Sequence, residues 1–182
     1  MILQQHIAAW EGFSLKGHVP PPDGGATESG LTLAGGYDVG QRQPSDLPAF
    51  IRDKLRAYCG ITGFAAVAYV KANPVELTPE EGEKLSAFSH AEATRLLLED
   101  WRKTGAVPFA ALADELQTVI ASVAYQYGDL PTGCPNYWRQ VTSGDWVGAL
   151  ANLRKFGDNF PTRRNKEADL LEARLKQYGL IL

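Results

Sequence analysis

The stretch Ser29-Gly30-Leu31-Thr32-Leu33-Ala34-Gly35-Gly36-Tyr37-Asp38-Val39-Gly40-Gln41 decides how the N-terminal part of this chain is read. Two brief β-prone runs, Leu31-Thr32-Leu33 and Tyr37-Asp38-Val39, stand on either side of Gly35-Gly36. Apolar runs this short, punctuated by glycine, predict a hairpin or small sheet. Just upstream, Pro20-Pro21-Pro22 and Asp23-Gly24-Gly25 predict an extended loop leading into it.

The chain on both sides reads as helix. From Met1 to about Gly12 a short helix is expected, with Ile2, Ala9 and Phe13 among its apolar positions and Glu11 near its end. Beyond Asp46 the pattern is helical throughout. Leu47, Phe50, Ile51 and Leu55 predict one buried face. Thr78-Pro79-Glu80-Glu81 has the form of a capping box with proline at the first helical position. The helix it opens continues through Leu85, Phe88, Ala91, Leu97, Leu98 and Trp101. Leu112, Leu116, Val119, Ile120, Val123 and Tyr127 give the strongest helical stripe, stopped by Gly128, and predict the central helix of the main core. Trp146, Leu150 and Leu153 mark another helix, and Ala168, Leu171, Leu175 and Tyr178 a last one. The expected fold class is α+β in a single domain, 1–182. Its small β-containing lobe should cover about residues 13–45, and its helical lobe about 46–182.

Composition narrows the function. The chain has 182 residues, 45% hydrophobic and 21% charged, which rules out wholesale disorder. A net charge of -3 argues against a partner held by a basic field, so no nucleic acid is expected. No run approaches a membrane span. Cys59 and Cys134 cannot form a disulfide framework or a zinc motif, and two buried free thiols are expected rather than a bridge. The start, MILQQHIAAWEGF, lacks the basic first region of a signal peptide, and Glu11 interrupts it. The expectation is therefore synthesis in the cytoplasm without a cleavable signal. His6, His18 and His90 are scattered without ligand spacing; they read as surface or capping residues, and no metal or other cofactor is expected. No nucleophile elbow and no phosphate-binding loop is present.

Carboxylates beside an irregular sheet remain. Glu11 lies between Trp10 and Phe13, apolar surroundings that favour a protonated carboxyl, as a general acid requires. Asp38 follows two glycines that let a ligand approach closely. Read singly, Glu11 is a helix-surface residue, Asp38 a turn aspartate and Thr32 a strand residue. Together they suit glycosidic bond hydrolysis, with one carboxyl protonating the leaving oxygen and the second managing the water.

The motifs add a resemblance. Glu11-Gly12 with Leu15, the stretch from Ser29 to Gln41, and Tyr125-Gln126-Tyr127-Gly128 occur in an order that resembles phage-type lysozymes of glycoside hydrolase family 24. Pro135-Asn136-Tyr137-Trp138, Asp145-Trp146, and Arg163-Arg164 with Glu167-Ala168 continue the series. The similarity covers about residues 10 to 175 and is closer to the pesticin-like toxin branch, whose SGVTIGVGFDLGQ signature matches residues 29–41 nearly position by position. Carried over by position, the resemblance implies Glu11 as general acid, Thr32 as the hydroxyl that places the water, and Asp38 as second carboxylate. It also implies Gln126 along the sugar site, and sugar contacts for Tyr37 and Tyr137, with core packing an equal reading for Tyr137 and Trp138. The implied reaction is hydrolysis of the β-1,4 bond between N-acetylmuramic acid and N-acetylglucosamine in peptidoglycan, with inversion.

Phage lysozymes place the catalytic Asp before the Thr, whereas here it follows; Asp23 and Glu28 therefore stay open as rivals of Asp38. Ala34 stands where the signature has Gly, and Gly35 where it has Val. Arg163 and Arg164 either orient the acid and bind wall anions or form a surface salt bridge with Glu167. The expected site of action is the periplasm or cell wall, as a phage-related lysin or an antibacterial secreted effector. An immunity protein or a secretion or phage-tail component is the accompanying partner of those roles. The alternative is a non-catalytic peptidoglycan-binding module on the same fold.

Overall fold

A computed structural model describes residues 1–20 and 28–182 of the chain. The triple proline beyond Pro20, the Asp23-Gly24-Gly25 turn and the rival carboxylate Asp23 lie outside the described residues. Within them the protein is mostly helical with one small antiparallel sheet, an α+β fold. Two compact units divide the chain: Glu11–Ser89, and Met1–Trp10 together with His90–Leu182.

The first unit holds strands β1 (Ser14–His18), β2 (Thr32–Ala34) and β3 (Tyr37–Asp38), in that order across the sheet. Strand alternation decides which side chains enter its core. Leu31, Leu33, Tyr37 and Val39 are buried in one cluster, while Thr32 and Asp38 project from the other face. A bulge interrupts the β1–β2 pairing between Ser14 and His18. Gly17, within that stretch, has no room for a side chain, since a Cβ there would lie 2.5 Å from Leu31 Cδ1.

Helices α2 (Arg52–Leu55), α3 (Gly63–Ala72) and the start of α4 (Pro79–Arg102) complete this unit. The apolar run from Phe64 to Val70 lies in α3. Leu47, Ile51 and Leu55 form the predicted buried face, but Phe50 stays 46% exposed. Leu77 and Leu85 join them against the sheet residues. The compact unit around the hairpin extends to Ser89. The capping box is formed reciprocally: the Thr78 amide donates to Glu81 Oε2 at 2.8 Å, and the Glu81 amide donates to Thr78 Oγ1 at 3.2 Å.

The second unit contains α1 (Gln4–Trp10), the rest of α4, and α5 (Asp114–Tyr127), α6 (Leu130–Gly133), α7 (Pro135–Ser143), α8 (Trp146–Arg154) and α9 (Pro161–Gln177). Helix α5 is buried continuously from Leu116 to Ala124 and ends at Gly128 with a φ of 67°, a left-handed stop that glycine makes without strain. It starts at Asp114 rather than at Leu112, because a short turn over Phe109–Ala111 precedes it and Asp114 and Glu115 suit the positive end of the helix. Helix α9 packs on both α5 and α8. Cys134 is a buried free thiol in this unit; Cys59, in the other, is free but only half-buried, which corrects the expectation of two buried thiols.

No helix among the described residues is long and apolar enough to cross a membrane.

Candidate active site

The first unit contains all three residues implied in the chemistry: Glu11, Thr32 and Asp38. Thr32 and Asp38 are direct cross-strand partners in the β2–β3 hairpin, next to the pair Leu33 and Tyr37. Residues directly opposite in an antiparallel pair share a face, so the hydroxyl and the carboxylate stand side by side. The turn joining the two strands is tight. Ala34 adopts a φ of 52° and Gly36 a φ of 93°, and the Gly36 amide donates to the Leu33 carbonyl at 3.2 Å. Ala34, which stands where the resembling signature has Gly, thus holds a left-handed conformation that an alanine takes up only at a cost.

One residue, Gly30, anchors both hairpin residues through its two backbone polar groups. The Gly30 amide donates to Asp38 Oδ1 at 3.1 Å and Oδ2 at 3.2 Å, while Thr32 Oγ1 donates to the Gly30 carbonyl at 3.2 Å. The Gly40 amide adds a 2.9 Å bond to Asp38 Oδ1. Gly30 must be glycine for reasons of space. A Cβ there would lie 2.4 Å from Gly40 Cα and 2.5 Å from the Ile61 carbonyl oxygen, a contact of backbone on backbone.

Burial raises the Asp38 carboxyl above its ordinary value of 3.8, and the amides of Gly30, Gly40 and Gln41 with the charge of Arg42 oppose this without cancelling it. The Arg42 guanidinium lies over the Tyr37 ring, 4.7 Å from its centroid. A carboxylate held by backbone amides yet more basic than usual can accept a proton from water. Thr32 is 7% exposed, and with its proton spent on Gly30 its oxygen keeps acceptor capacity.

Glu11 follows directly on α1 and is half-buried rather than on a helix surface. Its Oε2 lies 3.1 Å from the position a Cβ on Gly35 would take, so the carboxyl rests against the turn of the same hairpin. Glu11, distant in the sequence, thus lies against the turn of the hairpin that carries Thr32 and Asp38. Glu28 is exposed and offers its carbonyl to Gln41 Nε2 at 2.5 Å. Sequence reading missed Ser86, whose Oγ accepts a 3.0 Å bond from the Gly35 amide; only its phase in α4, one turn after Gly82, hints at it.

The residues implied in sugar contacts are placed differently. Tyr37 is 1% exposed and packs edge-on against Phe88, and Tyr137 is 1% exposed and packs on Phe156. Neither ring offers a face for stacking; both are core residues, because strand alternation turns Tyr37 inward and α7 presents Tyr137 to the helical core. Trp138 likewise packs edge-on against Trp101. Gln126 is partly buried near the end of α5, and its Oε1 accepts a hydrogen bond from Arg164 Nη2. Gln126 and Tyr137 belong to the other compact unit.

The salt bridge expected at the surface of α9 is buried instead. Arg164 and Glu167 are 2% and 0% exposed, with Nη1 and Oε2 2.6 Å apart. Asp158 Oδ2 lies 3.3 Å from Arg164 Nε, Arg163 Nε lies 3.3 Å from Glu167 Oε1, and the Ser122 hydroxyl donates to Glu167. The sequence spacing of three residues fits either placement; the fully buried stripe of α5 beside α9 decides it.

The family model described as Pesticin, the bacterial toxin homologue of phage lysozyme, C-terminal part, matches residues 2–147. The matched span includes Glu11, Thr32 and Asp38, and stops short of α9, where the resemblance read from the sequence continued to about 175. No curated protein matches the chain.

Proposed function

The chain belongs to the Pesticin family of bacterial toxins homologous to phage lysozyme, and on that premise we propose that it is a peptidoglycan muramidase. In this reading Glu11 protonates the oxygen of the β-1,4 bond between N-acetylmuramic acid and N-acetylglucosamine as that bond breaks. Asp38 takes a proton from the attacking water, and Thr32 holds that water by its hydroxyl oxygen. The reading rests on one observation: Glu11 reaches the turn of the hairpin whose strands pair Thr32 with Asp38.

In this reading the reaction inverts configuration, Asp38 activating the water rather than forming a covalent sugar intermediate, which requires a carboxyl separation of roughly 6.5–9.5 Å in place of the roughly 5 Å of a carboxylate nucleophile. The raised carboxyl of Asp38 is in keeping with a base. The chemistry needs no cofactor, and the cell wall is the place of action, reached as a phage-related lysin or as a delivered antibacterial effector.

Loss of turbidity of purified peptidoglycan tests the mechanism. Wild-type protein clears the suspension, Glu11→Gln loses at least about a hundredfold in rate, and Asp38→Asn loses a comparable amount. Equal clearing by wild type and Glu11→Gln refutes the role of Glu11. A second reading, a wall-binding module without activity, draws on the hydrogen bonds from the Gly30 and Gly40 amides that already occupy Asp38. It requires that wild-type protein sediment with the wall and leave it intact.

A further inference from the structure

The carboxyl of Glu11 lies at a notch formed by Gly35 and Ser86. Gly35 is not among the glycines with a left-handed backbone, so its lack of a side chain answers a need for space rather than for conformation. A Cβ at that position would sit 3.1 Å from Glu11 Oε2, 3.1 Å from Ser86 Oγ and 3.7 Å from Ser86 Cβ. The missing methyl thus leaves a notch shared by the glutamate and the serine. Ser86 closes it from the α4 side, its hydroxyl accepting the Gly35 amide at 3.0 Å and so holding the turn against the helix.

One turn earlier on α4, Gly82 does the same for the segment that follows Glu11. A Cβ there would lie 2.6 Å from Leu15 Cδ2 and 2.9 Å from Phe13 Cζ. Gly82 and Ser86 are four residues apart and share a helix face. Through them α4 seats the segment carrying Glu11 at one point and the hairpin turn at the next.

We infer that Gly35 and Ser86 are positioning residues for Glu11, fixing its carboxyl against the hairpin turn; this rests on the reading of Glu11 as general acid. The dependence is geometric. A Cβ at 35 requires the carboxylate oxygen or the Ser86 hydroxyl to give by a few tenths of an ångström, and loss of the Ser86 hydroxyl releases the Gly35 amide and with it the turn. Since misplacement of a catalytic group by 1 Å can cost on the order of a hundredfold in rate, these smaller shifts should cost about tenfold.

The test uses the full chain as wild type, Gly35→Ala, Ser86→Ala and Ser86→Thr. The side-chain carboxyl ¹³C resonance of Glu11 is followed by NMR, with that of Asp38, anchored on Gly30 and Gly40, as internal control. Hydrolysis of soluble peptidoglycan fragments gives kcat and KM. In Gly35→Ala and Ser86→Ala the Glu11 resonance moves and that of Asp38 does not. Their kcat falls by about tenfold or more with KM within about twofold, and Ser86→Thr, which keeps the hydroxyl, recovers most of the loss. Should Gly35→Ala fail to fold, Ser86→Ala with its threonine counterpart decides the matter. An unmoved Glu11 resonance in folded Ser86→Ala overturns the inference. Full activity of Glu11→Gln would instead remove the general acid while leaving the NMR result to judge the positioning.

Discussion

Replacing Arg164 by Met removes one charge from a site that water barely reaches while keeping a side chain of similar length. The guanidinium is 2% exposed and the Glu167 side chain 0% exposed, 2.6 Å from it. Without Arg164, Glu167 keeps only the Ser122 hydroxyl and the more distant Arg163 Nε at 3.3 Å. Stranding one member of a buried pair costs about 3–5 kcal/mol. At roughly 2–4 °C per kcal/mol for a chain of this size, Tm should fall by about 6–20 °C.

The cost also depends on pH, with a sign that follows from Glu167. Burial raises this carboxyl above its ordinary value of 4.5, and Arg164, Ser122 and Arg163 pull it down only in part. Taking Arg164 away raises it further. A carboxyl whose folded value exceeds its unfolded one supports the native state at acid pH, and that support is lost as pH rises through the folded value. The penalty of Arg164→Met is therefore largest near neutral pH and shrinks below 4.5, where the carboxyl is uncharged in both proteins. Urea unfolding at several pH values measures it, and Arg164→Met with Glu167→Leu, which removes both charges, should recover much of the loss. A penalty under about 1 kcal/mol at neutral pH, or one that ignores pH, refutes this account of the pair.

Gly30→Ala drives a methyl to 2.4 Å from Gly40 Cα, so stability should drop by at least about 2 kcal/mol in chemical denaturation; an unchanged midpoint would mean that the backbone contact yields freely. Asp38, raised by burial, stabilises the fold in its protonated form below 3.8 and loses that contribution as pH rises through its elevated value. The Tm of wild type relative to Asp38→Asn should thus decline with rising pH across that window, and a rising difference contradicts the assigned shift. Tyr137→Phe removes a buried hydroxyl that has no hydrogen-bond partner among the described residues, so it should be neutral or stabilising by up to about 1 kcal/mol, read as an unchanged or higher Tm.

Much of the fold could be read before any coordinates. The capping box at Thr78, the glycine stop at Gly128 and the stripe of α5 are local signals, each created by groups within a turn or two of one another. Alternation along Leu31-Thr32-Leu33 and Tyr37-Asp38-Val39 likewise separates core residues from the pair left on the open face. Periodicity does not tell how far a helix is covered, so for Arg164 and Glu167 a surface salt bridge stands open as one reading. The resemblance that implies sugar contacts for Tyr37 and Tyr137 does not show that both rings are buried.

What the sequence determined by itself was the type and order of the elements and the short list of groups able to do acid–base chemistry, because propensity, capping and side-chain period act between near neighbours. Only the tertiary structure decided which of those groups meet. The notch at Gly35 is made by atoms from residues 11, 35 and 86, and the cradle of Asp38 by the amides of Gly30 and Gly40 pressed against the Ile61 carbonyl. Such contacts depend on the close approach of segments distant in the chain, and no spacing along the chain records it.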